Sequence, residues 1–349
     1  MMHGPTALPE ARPHGGPDAH GAPLHDFSTN SNACGPCPDV LSAVQAADAT
    51  RYPDPAYTAL KQQLAQFHAV DASRIHLAAS ASEFIFRVTA VAARRPSAAV
   101  WLPRHAYGDY AQAARAHGLA RAGSPVSAAL AWVCEPSSPL GGVEAALAQL
   151  AMPRLAGAVA AAAPITVLDG AYQPLRLSGE PTLQGAQLDA VWQLFTPNKA
   201  LGLTGVRAAY AVAPTDAGAT AALLDALSPS WPIGAHGVAL LEAWTRPSVQ
   251  QWLAASLCTL SDWKQRQIGI CESLGWDCIP SDTNFFCAAP GLSGHLPLDD
   301  ALVALRAQGI KLRDAASFGL PGHVRVGVLS PAAQDALQIA CQHLMKGMP

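Results

Sequence analysis

The chain has 349 residues, of which half are hydrophobic and 13% charged, and its net charge is −3. That length predicts one large domain plus a smaller one, and the composition excludes a disordered chain. With no Lys/Arg-rich block there is no electrostatic footprint for a nucleic acid or an acidic membrane, so a small molecule is the expected partner.

Residues 1–38 read as an N-terminal arm. Its first part is dominated by Gly, Pro, His and Ala without apolar periodicity, which predicts partial disorder rather than a packed element. The arm lacks the basic start and continuous apolar run of a secretory signal, so a cytoplasmic location is expected. His3, His14, His20 and His25 show no metal-ligand spacing, which favours a solvated tail and no metal site. Cys34-Gly35-Pro36-Cys37 has the spacing of a thiol redox motif but not its context, a strand leading into a helix inside a βαβ unit. With eight cysteines at irregular spacing in a cytoplasmic chain, reduced thiols are expected rather than a disulfide framework.

A large domain is expected over 39–250. Tyr57 to Phe67 has the pattern of an amphipathic helix with Leu60, Leu64 and Phe67 on one face. The apolar runs at 98–102, 131–134, 165–168, 191–195 and 208–212 read as buried strands. Their spacing leaves room for crossover helices, which predicts an α/β fold with a mostly parallel sheet. The longest apolar stretch, 155–168, is Ala-rich, contains Pro164 and is too short to span a bilayer; a buried helix-strand junction is expected there, and no membrane span. A helix-rich stretch at 235–275 is followed by short runs at 283–288, 309–313 and 323–328 and a last helix near 331–345. This predicts a small α+β domain over 251–349.

Two of the predicted strands end in residues with chemistry. Ile165-Thr166-Val167-Leu168 runs into Asp169-Gly170-Ala171-Tyr172, and Val191 to Phe195 runs into Thr196-Pro197-Asn198-Lys199. Open parallel sheets bind ligands outside the carboxyl ends of their strands, so a carboxylate and an amine emerge at one edge. Taken singly, such an Asp is a turn or cap residue and such a Lys a solvated side chain. Together they meet the needs of pyridoxal 5'-phosphate (PLP): a lysine to form an imine with its aldehyde, and an acid to keep its pyridine nitrogen protonated.

Thr196-Pro197-Asn198-Lys199-Ala200-Leu201-Gly202-Leu203-Thr204-Gly205-Val206-Arg207 resembles the Ser/Thr-x-x-Lys...Gly-x-Arg segment of fold-type I PLP aminotransferases. Arg51-Tyr52-Pro53-Asp54, Pro103-Arg104-His105-Ala106-Tyr107, Asp169-x-Ala171-Tyr172, Arg313 and Arg325 follow in the same order as in one branch of them. From about Asp26 to Val328 the chain is similar to the histidinol-phosphate aminotransferase family, which includes a cobalamin-pathway relative, threonine-phosphate decarboxylase. The resemblance implies a fold-type I PLP-dependent transferase, with a large domain whose mostly parallel mixed sheet is flanked by helices and a small α+β C-terminal domain. It implies a homodimer with shared active sites, moving an amino group between an amino acid or amino-phosphate substrate and a 2-oxo acid.

The resemblance also implies roles. Lys199 is the Schiff-base lysine, Asp169 faces the pyridine nitrogen, and Tyr107 stacks on the ring. Tyr172 and Ser138 stand at the ring's phenolic oxygen. Ala81, Ser82, Thr196 and Arg207 surround the phosphate, and Tyr52 reaches the phosphate bound by the neighbouring subunit. Asn30, Arg313 and Arg325 contact the substrate. Two positions depart from the family pattern: Ser138 stands where an asparagine is usual, and Gly170 where an acidic residue is common. A serine is shorter and has one donor, so the ring-oxygen contact is weakened. Asp26-Phe27-Ser28-Thr29-Asn30 and the run from Arg51 to Tyr57 look closer to the cobalamin relative, so decarboxylation of an amino-acid phosphate stays open beside transamination, and the two departures leave a non-catalytic PLP-binding protein open as well.

Overall fold

The computed structural model describes residues 14–96, 98–147, 149–150, 164–291 and 296–346. Its strands, in chain order, are β1 (His25–Asp26), β2 (Ile75–Ala78), β3 (Ala99–Trp101), β4 (Ala120–Arg121), β5 (Leu130–Cys134), β6 (Ile165–Asp169), β7 (Trp192–Phe195), β8 (Ala209–Val212), β9 (Asp277–Cys278), β10 (Phe285–Ala289), β11 (Ile310–Lys311), β12 (Arg313–Asp314) and β13 (Val324–Gly327). The large sheet has the order β2-β8-β7-β6-β5-β3-β4. Only β8 runs against its neighbours, β2 and β7, and the other pairs are parallel. Every residue of β5 and β6 is buried, which explains their near-continuous apolar sequences: helices cover both faces. Alternation along β8 divides its side chains between the two layers, with Tyr210 and Val212 in one core and Ala209 and Ala211 in the other.

The predicted first helix of the large domain spans Thr58–His68. It starts where the Asp54 carboxylate accepts from the Thr58 amide at 2.7 Å, and it ends at Ala69, whose φ of 53° closes the last turn. Leu60 and Leu64 are buried as expected, but Phe67 is 38% exposed. Near the helix end its ring meets those of His68 and Trp244 edge-on but stays partly exposed, so the buried apolar face is shorter than the sequence pattern suggests. Of the long apolar stretch, 155–163 lies outside the described residues; its end forms β6. Among the described residues no helix is long and apolar enough to cross a membrane.

The small domain carries an antiparallel sheet of order β12-β13-β10-β9. The N-terminal segment joins it, because β1 pairs in parallel with β11 and Phe27 is fully buried beside Phe286, Val324 and Val326. The helix Pro247–Ser273 links the domains: Val249, Leu253 and Leu260 belong to the large-domain core, Ile270 and Cys271 to the small-domain core. The expected boundary at 250 thus falls inside a continuous helix. β5, β6 and β7 are in parallel register, so Cys134, Asp169 and the residues after Phe195 come to one edge, facing the small domain.

Candidate active site

A cavity of about 780 Å³ lies at that edge, and every residue to which the resemblance gives a cofactor or substrate role lines it except Tyr52. Its size and mixed lining suit a small molecule or cofactor. Tyr52 is 78% exposed and stacks on Trp231 with ring centroids 4.5 Å apart.

Asp169 ends β6 at the floor, 4% exposed. Its Oδ2 accepts from the Tyr110 hydroxyl at 2.6 Å and its Oδ1 from the Ala171 amide at 2.9 Å. It forms no salt bridge among the described residues, and burial raises its pKa, opposed chiefly by the Tyr110 hydroxyl. A carboxylate so placed fits a protonated ring nitrogen. At Gly170, which follows, a Cβ would lie 3.0 Å from Gln173 Oε1 and 3.3 Å from the Leu194 carbonyl, a tight but adjustable fit.

Lys199 sits in the turn after β7, its Nζ 4.8 Å from the centroid of the Tyr172 ring. The turn is braced by the segment whose cysteines resemble a redox motif. Asn32 N donates to the Lys199 carbonyl and Cys37 N to the Leu201 carbonyl, both at 2.9 Å. Gly202, at φ 70°, passes so close that a Cβ would lie 2.5 Å from the Gly35 carbonyl. Cys37 precedes the helix Pro38–Gln45, the strand before it, β1, pairs with β11 and not with the large sheet, and both thiols are free.

The helix Ala81–Ala92 opens at the cavity with Ser80 as its cap, Ser80 Oγ accepting from the Glu83 amide at 3.1 Å. A helix leaves its first-turn amides without intrahelical partners, so this terminus, with Ala81 and Ser82 lining the cavity, can meet an anion. Arg207 reaches the same region from a loop held by the Asn198 side chain, which donates to the Thr204 and Val206 carbonyls at 3.5 and 3.4 Å. Thr196 Oγ1 is buried with no protein partner. A buried hydroxyl is costly unless bonded, so this orphan beside the cavity fits a phosphate oxygen. Thr196→Val should weaken PLP about tenfold, the value of a hydrogen bond to a charged group, while leaving the melting temperature of the cofactor-free chain unchanged or higher. Equilibrium dialysis and a thermal melt check this; unchanged affinity would remove Thr196 from the phosphate site.

On the small-domain side, Arg325 Nη1 donates to Ser138 Oγ at 3.2 Å and Nη2 to the Ser28 carbonyl at 3.0 Å. Its Nε is buried without a partner. Arg313 donates to Ser317 Oγ at 2.7 Å, and its pKa is lowered by burial and by the neighbouring Arg325. Asn30 Nδ2 donates to the Tyr172 hydroxyl at 3.4 Å, while its Oδ1 is an unpartnered buried acceptor. Tyr107 stands opposite, its pKa pushed up by burial to about 12, so it stays a neutral phenol.

Sequence reasoning missed three features. Tyr110, three residues after Tyr107 and so on the same side of the helix Gly108–Ala116, was hidden among ordinary core aromatics. Ser138 engages Arg325, a partner 187 residues away. His14, expected in a solvated tail, lines the cavity 6.4 Å from Tyr107, and its segment is tied down where Asp18 meets Arg306 and Lys311.

The family model described as aminotransferase class I and II matches residues 22–344. The chain belongs to this family. It is a PLP-dependent aminotransferase, and the orphan Thr196 hydroxyl, the buried Asp169 and the amine over Tyr172 fit that cofactor. It is 28% identical to the histidinol-phosphate aminotransferase of Rhodospirillum centenum over 362 residues, covering 94% of both chains. Among solved structures, it resembles the PLP complex of histidinol-phosphate aminotransferase from Sinorhizobium meliloti, with TM-score 0.75, 22% identity and coverage of 92% of this chain and 90% of that one. L-threonine-O-3-phosphate decarboxylase from Porphyromonas gingivalis matches with TM-score 0.68 and 18% identity, covering 88% and 92%.

Proposed function

We propose that this aminotransferase is of the histidinol-phosphate type, moving an amino group between an amino acid or amino-phosphate and a 2-oxo acid, with the cavity residues in the roles set out below. The observation that carries this reading is the convergence in one cavity of Lys199, Asp169 and two buried arginines from the other domain. PLP, when bound there, supplies an electron sink for the charge left at the substrate's α-carbon.

Lys199 is the covalent attachment point and, once free, the base that removes the α-proton and returns it on the other side of the transfer. Asp169 holds a proton at the pyridine nitrogen. Tyr107 covers one ring face, and Tyr172 donates to the phenolic oxygen. Thr196, Arg207 and the amides of Ala81 and Ser82 hold the phosphate, since a dianion is best met by a guanidinium with short donors. Arg313 and Arg325 clamp the substrate's anionic groups, with Asn30 beside them.

Tyr52 and Trp231 form an exposed aromatic pair outside the cavity. This supports a homodimer in which Tyr52 reaches the other copy's phosphate site. The free cysteines support a reducing, cytoplasmic setting.

A second reading is favoured by the Ser138–Arg325 hydrogen bond. Here the side chain matched to the ring-oxygen donor also accepts from the substrate-binding arginine, so it helps set that arginine's aim, and the aim decides which α-carbon bond stands perpendicular to the ring. A carboxylate turned perpendicular is lost as carbon dioxide, which would make the enzyme similar to threonine-phosphate decarboxylase. The two readings separate on the PLP-loaded protein. Conversion of histidinol phosphate with 2-oxoglutarate to glutamate supports transamination; carbon dioxide from threonine phosphate without any oxo acid selects decarboxylation.

A further inference from the structure

Tyr110 is wholly buried, and three contacts fix it. Its ring lies nearly flat on Trp132, centroids 4.4 Å apart and planes 9° apart, and it meets Tyr107 edge-on at 5.8 Å and 86°. Its hydroxyl donates to Asp169 Oδ2 at 2.6 Å. Trp132 and Asp169 stand on adjacent strands, β5 and β6, so the sheet sets the direction in which the phenol points.

We infer that Tyr110 is a positioning residue for cofactor binding, holding the Asp169 carboxylate in its charged form and aiming it into the cavity. This rests on the reading that Asp169 faces the pyridine nitrogen. Asp169 has two protein donors, Ala171 N on Oδ1 and Tyr110 on Oδ2. The first is backbone and comes with the turn after β6. The second is a side chain, so it is the contact through which sequence tunes the carboxylate. The titratable groups facing Asp169 are Tyr110, the Cys134 thiol paired across from it in β5, and Lys199; those facing Tyr110 include Tyr107. Burial pushes Tyr110 and Cys134 well above their ordinary values, so both stay neutral and the hydroxyl stays a donor. Of the groups that favour the carboxylate, Tyr110 is the strongest, ahead of the Ala171 amide and Lys199. Because Tyr110 also touches Tyr107, one phenol links the ring's cover to its nitrogen partner.

Loss of the hydroxyl lets the Asp169 carboxyl take up a proton at higher pH, and a neutral acid cannot pair with a pyridinium. The dissociation constant of PLP, read by fluorescence quenching, should therefore rise about tenfold in Tyr110→Phe, and the loss should grow as pH falls from 8 to 6. In an Asp169→Asn background the same change should add little, since no charge remains to tune. A melt of each cofactor-free variant should show that Phe, which removes one oxygen, leaves the fold intact. Equal losses of affinity in both backgrounds, with an unchanged pH profile, would assign Tyr110 a packing role and overturn the inference. If Asp169→Asn alone leaves PLP affinity unchanged, the reading of Asp169 itself fails and the inference falls with it.

Discussion

Lys199→Ala is expected to lower turnover by at least about 10⁴-fold, because one amine serves both as attachment point and as proton carrier. The chain offers no substitute. No other lysine lines the cavity among the described residues. Lys264 is buried in the interdomain helix against the Ser281 carbonyl, and Lys311 is held by Asp18 and the Gly16 carbonyl. The turn should survive, since its support is backbone: Asn32 N on the Lys199 carbonyl and Cys37 N on that of Leu201. The variant is thus expected to fold and to bind PLP reversibly, without the borohydride-reducible adduct that mass spectrometry should find on the parent chain. An adduct and turnover that both persist would refute the assignment of Lys199.

The large sheet was legible because its central strands are buried on both faces, which writes them as apolar runs, and because a polar residue directly after such a run falls at the ligand-binding edge. Asp169 and Lys199 could be picked out on that ground. β1 could not: it has two residues, too few for a period, and its pairing with β11, inside the run read at 309–313, joins positions 285 residues apart in the chain (310 − 25). The Ser138–Arg325 bond was hidden for the same reason of separation. Tyr110 was hidden differently. Its spacing from Tyr107 was in plain view, but an aromatic on a buried helix face is usually core, and only the 2.6 Å contact with Asp169 separates it from one. Phe67 shows the converse, a correct helical pattern whose last position runs past the surface meant to cover it.

Asp169→Asn should cut turnover by roughly 10²–10³-fold while making the cofactor-free protein more stable, and the opposite signs are what identify a charge kept for function. The replacement is nearly isosteric, and both contacts can persist: Asn Oδ1 accepts from the Ala171 amide, and Nδ2 donates to the Tyr110 oxygen, whose hydroxyl reverses its role. What disappears is the charge. Burial raises the pKa of Asp169 above its ordinary 3.8, so the folded chain holds this proton more tightly than the unfolded chain does. Folding stability contributed by the group is therefore greatest in acid and is lost as pH rises from about 3.8 through the folded value. At neutral pH the bare carboxylate works against the fold until a cation pairs with it. The Asn variant escapes that cost, and its cofactor-free melting point should lie about 2 °C or more above the parent's at pH 7.5, the shift that roughly 1 kcal/mol produces in domains this large. The gap should close as the pH is lowered through the raised pKa of Asp169, where the parent's acid takes up its proton. In PLP-loaded protein the order should invert, because the parent gains a buried ion pair that the variant lacks. A variant that melts below the parent in the cofactor-free form at neutral pH would mean that Asp169 is held for packing, and would move the pyridine partner elsewhere in the cavity.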